Sequence, residues 1–341
     1  QALADLLVRE AVGHQRQHLE LARAQRLAHA PVRSVCRRWR HHAARHDMAD
    51  HRRQVAGLGA LVQVSVHAHL LQVLYALGDP LRAATPAYKN DGTDADFENR
   101  AGDHHDGMEW FGLDENGKPS RKGSSRGLIA MNHEATTDEK LSSFFIHANG
   151  GTATLPRPAA EVDKELMIHG LSVVEMRKQG NRWSYDPASP YNRRVTTMSE
   201  ALIHGPARGS EHLVTRYSTD GTKVRGTLNN CGAGPTPWGT YVSGEENWFG
   251  YFHRDAKDDD ARKKDKQVQA LKRYGRKAGD ASRHGWESAG PQDQYVRWNN
   301  SATGASAKED YRNEMNTFGY IVEIDPYDES LLQPSSVDVR V

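Results

Sequence analysis

The chain has 341 residues, 37% hydrophobic and 26% charged, which is enough apolar material to bury a core in one large domain or two smaller ones. This composition excludes collagen, coiled coils and a wholly disordered chain, and no apolar run approaches the eighteen residues of a membrane-spanning helix. The two cysteines, Cys36 and Cys231, are too few for a disulfide framework or an all-cysteine zinc site.

The net charge of +1 conceals a basic first quarter of the chain. Residues 1–88 hold 12 arginines, no lysine and 6 acidic residues, and they lack isoleucine, asparagine and phenylalanine. Three interpretations stay open for the stretch 32–53: a nucleic-acid-binding arm, a solvated basic helix, or a GC-rich reading frame translated out of phase. We therefore predict an Ala/Arg/His-rich segment over 1–76 that carries no chemistry and no nucleic-acid partner, followed by the main domain over 77–341.

After Lys89 short β-branched or aromatic runs are separated by Gly, Asn, Asp and Pro turns, a pattern typical of a mainly β protein. The predicted strands cover 127–132, 171–177, 182–185, 213–217, 223–228, 239–243 and 318–324. Such short strands with few helical stretches favour a β-propeller or a sandwich, and the absence of a fixed-period repeat leaves the choice open. The charged stretch 255–277 is predicted to be an exposed helix or loop.

The motif over 226–248 holds Cys231, a Gly/Pro loop and the carboxylate pair Glu245 and Glu246. Because neighbouring residues of a strand point to opposite faces, only one glutamate of the pair is expected to share a site with Cys231. A thiolate with carboxylates suits a transition metal. The alternative is a buried structural cysteine beside two solvated glutamates.

Two further strand ends carry candidate ligands. The apolar run 127–132 leads to Glu134, and Glu323 and Asp325 stand two residues apart on one face of the strand over 318–326. Adjacent carboxylates repel each other unless a cation lies between them, although the strand end can also simply have reached water. The sequence has no phosphate-binding loop, dinucleotide fingerprint, nucleophile elbow or His-Glu-x-x-His motif.

The chain from about Leu77 to Tyr327 resembles the PhoX family of secreted alkaline phosphatases. The motifs are Leu-Gly-Asp-Pro-Leu at 77–81, Arg-Gly-Leu-Ile-Ala-Met-Asn-His-Glu at 126–134, His-Gly-Leu-Ser-Val-Val-Glu at 169–175, Asn-Arg-Arg-Val-Thr at 192–196, Gly-Thr-Leu-Asn-Asn-Cys through Glu-Glu-Asn at 226–247 and Phe-Gly-Tyr-Ile-Val-Glu-Ile-Asp-Pro at 318–326. This resemblance implies a β-propeller-like hydrolase that cleaves phosphate monoesters on a cluster of iron and calcium ions. It further implies an iron ligand at Cys231, a nearby carboxylate ligand at Glu246, a calcium ligand at Glu323, and further ligands at Glu134 and Asp325.

Members of this family continue beyond the 318–326 strand and supply more ligands and a phosphate-facing arginine there. We therefore expect an incomplete propeller, with turnover by this chain left open. The resemblance implies export to the periplasm or beyond, although no signal peptide follows Gln1. We expect a monomer whose partners are small phosphate monoesters. The alternative function is a non-catalytic β-rich module in which the acidic residues hold structural calcium and Cys231 is merely buried.

Overall fold

The computed structural model describes residues 72–136, 146–148, 150–263 and 265–328, and the backbone of 337–340. Most of the predicted basic segment 1–76, including Cys36, lies outside the described residues. The chain from Gln72 onward forms one compact unit. Among the described residues, no helix has the length and apolar character needed to cross a membrane.

Five strands form an antiparallel first sheet in the order β1-β2-β3-β4, with β5 paired to β3. The strands are β1 (His105–Gly112), β2 (Arg126–His133), β3 (Gly170–Gln179), β4 (Arg182–Tyr185) and β5 (Arg193–Val195). A two-residue turn of Gly180 and Asn181 joins β3 to β4, with φ of 59° at Gly180, because such a hairpin loop needs a positive φ at its first position.

The second sheet has six strands in the order β7-β6-β11-β10-β9-β8. Its strands are β6 (Glu200–His204), β7 (Lys223–Arg225), β8 (Asn230–Pro235), β9 (Tyr241–Glu245), β10 (Ile321–Ile324) and β11 (Val337–Arg340). Strand β11 runs parallel to β6, and the other neighbours are antiparallel.

One hydrophobic cluster joins the two sheets. Leu128 and Val173 of the first sheet and Ile203, Tyr241 and Val322 of the second belong to it, and all five are buried. Each fully buried side chain of this size contributes about 1.5–3 kcal/mol. The mainly β prediction is confirmed, while closure into a propeller stays a prediction, since the described strands form open sheets.

Short helices and a second, aromatic cluster lie outside the sheets. The helices are α1 (Ala159–Ile168), α2 (Asp258–Ala261), α3 (Gln267–Arg273) and α4 (Asp293–Val296), with 3-10 turns at Phe97–Asn99, Glu211–Leu213, Trp248–Tyr251, Trp286–Ser288 and Glu314–Thr317. Tyr251, Phe252, Trp286, Trp298 and Phe318 form the aromatic cluster.

One sequence-based prediction of local structure was wrong, and another was right only in part. The stretch 213–217 is a 3-10 turn followed by a loop. The charged stretch 255–277 is two short helices, and it is not merely solvated: Asp258 is buried against the Arg254 guanidinium, and Val268 and Leu271 join the core. Arginine and aspartate are exposed unless paired, and this pairing is not visible in the sequence.

The buried carboxylate of Glu165 joins α1 to the aromatic cluster. It accepts hydrogen bonds from His147 Nε2 at 3.0 Å, Arg157 Nη2 at 2.5 Å and Trp286 Nε1 at 2.6 Å. Burial alone would raise the pKa of Glu165, but the bond from His147 and the charge of Arg157 outweigh it and lower the pKa to about 2. The side chain is therefore a buried anion that compensates a buried cation.

We expect Glu165→Ala to lower the free energy of unfolding by about 3 kcal/mol, because it removes the nearer of the two carboxylates that pair with the buried Arg157 guanidinium, leaving only Glu161 at 3.6 Å. Urea unfolding curves would measure this. The exposed Glu211 provides a control, since Glu211→Ala is expected to change the value by less than about 0.5 kcal/mol. Equal losses in the two variants would contradict the role given to Glu165.

Two buried histidines predict a pH-dependent stability. Burial lowers the pKa of His169 to about 4 and that of His284 to about 3, so both rings are neutral in the folded chain. The unfolded chain protonates them near pH 6.5. The contribution of the two neutral rings to the free energy of unfolding is therefore complete above pH 6.5. It is lost as the pH falls toward 4 for His169 and toward 3 for His284.

When the pH is lowered from 7 to 5.5, each of these histidines should reduce the free energy of unfolding by about 1 kcal/mol. Urea denaturation at the two pH values measures this change. His284→Gln should remove its own share of this slope. His212→Gln, at an exposed position, should leave the slope unchanged. An identical slope in the wild-type and His284→Gln chains would contradict the argument.

Candidate metal centre

One thiol and two carboxylates converge between the sheets. The ligand atoms of Asp106, Glu134 and Cys231 all lie within 4.8 Å of one another, and we call these three side chains the ligand group. Asp106 is on β1, Glu134 follows the end of β2, and Cys231 is on β8. The structure thus brings together two predicted ligands, Cys231 and Glu134, and adds Asp106, which the sequence analysis missed.

Two β-bulges aim the ligand group. In β1 the register breaks between His105 and Met108, so Asp106 and its neighbour oppose a single residue of β2. In β8 it breaks between Asn230 and Ala233, which places Cys231 on the second bulge. A bulge adds one residue to a strand and turns its side chain out of the regular alternation. Both sheets therefore present a ligand through the same local distortion.

Glycine at position 107 allows the two bulges to touch. A Cβ atom there would lie 2.6 Å from Ala233 Cβ and 2.7 Å from the Cys231 carbonyl oxygen, both closer than real contacts allow. Any larger residue at position 107 would push β1 away from β8. The distances within the ligand group thus depend on glycine, which has no side chain, at position 107.

The motif Thr227-Leu-Asn-Asn-Cys231 orients the Glu134 carboxylate and the backbone of Glu246. Asn229 has a left-handed backbone, with φ of 52°, and its Nδ2 donates to Glu134 Oε1 at 3.1 Å. Its carbonyl accepts the Glu246 N–H at 3.0 Å. Asn230 is buried and bonds Thr227 Oγ1 and Ser243 Oγ. Asparagine tolerates the left-handed region, so this residue type suits the corner before Cys231.

The predicted divergence of Glu245 and Glu246 agrees with the structure. Glu245 turns inward and accepts backbone N–H groups of Gly319 and Leu228, and burial raises its pKa to about 7. Glu246 is exposed, and its charge acts on both Cys231 and Glu134. Glu246 is therefore the member of the pair that faces the ligand group.

The ligand group is electrostatically unfavourable without a cation. Burial, followed by the hydrogen bond and charge of Asp106 and the charges of Glu134 and Glu246, raises the pKa of the Cys231 thiol to about 12. Burial and the charges of Asp106 and Glu246 likewise raise the pKa of Glu134. A bound cation reverses this effect because it favours the deprotonated forms. A thiolate with carboxylates is a donor set that fits a transition metal.

The other two predicted ligands lie elsewhere on β10 and beyond it. Glu323 is buried and accepts hydrogen bonds from Trp238 Nε1 at 2.7 Å and Thr240 Oγ1 at 2.5 Å. Asp325 is exposed and accepts the Tyr327 N–H at 2.9 Å. Neither belongs to the ligand group, so their role as metal ligands stays a prediction.

We expect Gly107→Ala to lower the free energy of unfolding by about 1–3 kcal/mol, since overpacking forces β1 and β8 apart. Gly232→Ala is the matched control in the facing bulge, because a Cβ atom at that position meets nothing within 4 Å. Urea unfolding of both variants measures the difference. Equal stability of the two would mean that the strands can separate at no cost.

Comparisons with known proteins identify the family of the chain. The model of the family described as alkaline phosphatase PhoX matches residues 63–338. The structure of Pseudomonas fluorescens PhoX in complex with vanadate, a transition-state analogue, superposes with a TM-score of 0.61 at 31% sequence identity, covering 79% of this chain. The chain spans 40% of the length of that protein's chain. No curated protein matches it. Since the family model covers most of the sequence, the chain belongs to the PhoX family of alkaline phosphatases.

Proposed function

We propose that this chain carries a metal-binding part of a metal-dependent alkaline phosphatase that hydrolyses small phosphate monoesters. The observation that supports this most directly is the convergence of Asp106, Glu134 and Cys231, from two sheets, on one point. The family membership of the chain supplies the reaction type. Vanadate bound to the Pseudomonas fluorescens relative supports phosphoryl transfer as the chemistry of that fold.

The ligand group, together with Glu246, is proposed to hold iron. A thiolate is a soft ligand that favours iron over calcium, while the carboxylates add the negative charge that a di- or trivalent cation needs. Glu323 and Asp325 offer carboxylates only, which suit calcium. Glu323 accepts hydrogen bonds from Trp238 and Thr240, so calcium there would have to share or replace these donors.

The bound cations would supply positive charge to the oxygens of the transferring phosphoryl group, the main requirement of phosphoryl transfer. The chain's own residues prepare the site for them. Asn229 orients the Glu134 carboxylate, and the contact of Gly107 with Cys231 sets the distance between β1 and β8. A scaffold that fixes ligand positions before binding avoids the cost of ordering them afterwards.

The propeller architecture, export from the cytoplasm and a monomeric state are part of the same proposal and rest on the family resemblance. Since the chain spans 40% of the matched relative's chain, further ligands and a phosphate-facing arginine are proposed to lie in the portion of the family's length not represented here. Hydrolysis by this chain alone is therefore a separate question from metal binding.

Elemental analysis of the purified chain tests the metal proposal. We expect iron and calcium in the wild-type chain and loss of nearly all iron in Cys231→Ser. Loss of a group that only orients a metal ligand typically weakens metal affinity 10–100-fold. Asp106→Asn removes a proposed ligand itself, so it should weaken iron binding by at least that factor. Glu115→Gln, at the far end of the β1–β2 hairpin, is the matched control and should keep its iron. Calcium should persist in Cys231→Ser.

Hydrolysis of a chromogenic phosphate monoester at alkaline pH, with added calcium and iron, separates the two candidate functions. Turnover that depends on Cys231 would support the phosphatase. Calcium binding without iron, with no difference between wild type and Cys231→Ser, would contradict it and support the non-catalytic calcium-binding module.

A further inference from the structure

A network of buried hydrogen bonds connects the three segments of backbone that carry Asp106, Glu134 and Cys231. Tyr241 Oη on β9 lies 2.8 Å from the Gly107 carbonyl oxygen and 2.8 Å from Asn132 Oδ1. Asn132 Nδ2 in turn donates to the Cys231 carbonyl oxygen at 2.7 Å. Both side chains are fully buried. The Tyr241 hydroxyl shares its one proton between the Gly107 and Asn132 oxygens, so these contacts link β9 to β1, β2 and β8.

Each acceptor stands beside a ligand. Gly107 directly follows Asp106, Asn132 precedes Glu134 by two residues, and the third acceptor is the carbonyl of Cys231 itself. The two carbonyls belong to the bulges of β1 and β8, where the regular pairing is interrupted. Buried carbonyls need a partner, and here two side chains provide it. The bulges can therefore persist without exposing unpaired backbone groups.

We infer that Tyr241 and Asn132 are positioning residues that hold Asp106, Glu134 and Cys231 at metal-binding separation across the two sheets. We call this pair the clamp. The inference rests on the proposed function, because it assigns the clamp to the metal centre described there. Neither residue touches the cation, and each acts through the backbone that carries a ligand. Groups that orient metal ligands in this way typically control metal affinity 10–100-fold.

The chemistry of the clamp suits this role. The ring of Tyr241 packs in the core cluster and contacts Phe111 edge to face, with ring centroids 6.3 Å apart. Replacement by phenylalanine keeps that packing and removes only the hydroxyl. Burial raises the pKa of Tyr241 far above its ordinary value, so the hydroxyl stays a proton donor throughout the working pH range. Asn132 uses both ends of its amide, so the two hydrogen bonds are coupled.

The full-length chain is titrated with Co²⁺, whose thiolate-to-metal absorption reports the Cys231 bond directly. Tyr241→Phe and Asn132→Ala should each weaken Co²⁺ binding by about 10–100-fold and reduce the absorption per bound ion. The double variant should lose little more than either single variant, since the clamp acts as one unit. The two variants remove different members of the same hydrogen-bond network. If one of them fails to fold, the other still tests the inference.

Tyr191→Phe is the matched control. Its ring is buried in the same core cluster as Tyr241, and its hydroxyl donates to the Gly117 carbonyl oxygen at 2.7 Å, at the far end of the β1–β2 hairpin from the ligand group. This variant should bind Co²⁺ with the wild-type affinity and spectrum. Tyr241→Phe with wild-type affinity and absorption would overturn the inference.

A metal-free measurement separates failure of the clamp from failure of the proposed function. In a Cys36→Ser background, the rate of Cys231 modification by a thiol reagent should rise about tenfold in Tyr241→Phe, the effect of one lost buried hydrogen bond, and stay unchanged in Tyr191→Phe. An unchanged rate in Tyr241→Phe would overturn the inference. A wild-type chain that binds no Co²⁺ would instead contradict the proposed function.

Discussion

The close contact of β1 with β8 at Gly107 is the constraint on which the metal centre depends. Because position 107 has no side chain, the Cys231 carbonyl and Ala233 approach the β1 backbone closely. The two strands belong to different sheets, so this contact also fixes how the sheets meet at the site. Paired bulges then turn Asp106 and Cys231 toward each other. A regular strand at either place would send one ligand to another face, since side chains alternate along a strand.

The site gathers negative charge, and the surrounding structure supports it. Burial and the carboxylates of Asp106, Glu134 and Glu246 together raise the pKa of the Cys231 thiol. Hydrogen bonds from Asn132 and Tyr241 hold the Cys231 and Gly107 backbones in place, and one from Asn229 holds the Glu134 carboxylate, against the mutual repulsion of these groups. The same arrangement favours a cation, because each negative group is attracted to a positive charge placed between them, and these attractions outweigh the repulsion. Electrostatic strain and metal affinity thus have one physical origin.

The scaffold behind the ligand group is held by buried arginines as well as by apolar packing. Arg194 donates to the carbonyl oxygens of Leu171, Met167 and His169 and also to that of Arg100, which ties β5 to β3 and to the end of α1. Burial lowers its pKa to about 10, so the guanidinium keeps its charge in neutral solution. A cation that binds carbonyls in this way satisfies strand and helix ends that hydrophobic side chains cannot.

The sequence was sufficient to predict the mainly β class, the strands β2, β3 and β4, and the motifs that carry Glu134, Cys231 and Glu246, because β-branched runs and turn residues act locally. It did not indicate Asp106, since His105-Asp106-Gly107-Met108 reads as a turn and a bulge depends on the partner strand. For the same reason β8, with its Gly-Ala-Gly-Pro run, read as a loop. Which carboxylates meet the thiol could not be predicted from the sequence, because β8 is far from the β1–β2 hairpin along the chain and approaches it only when the two sheets pack.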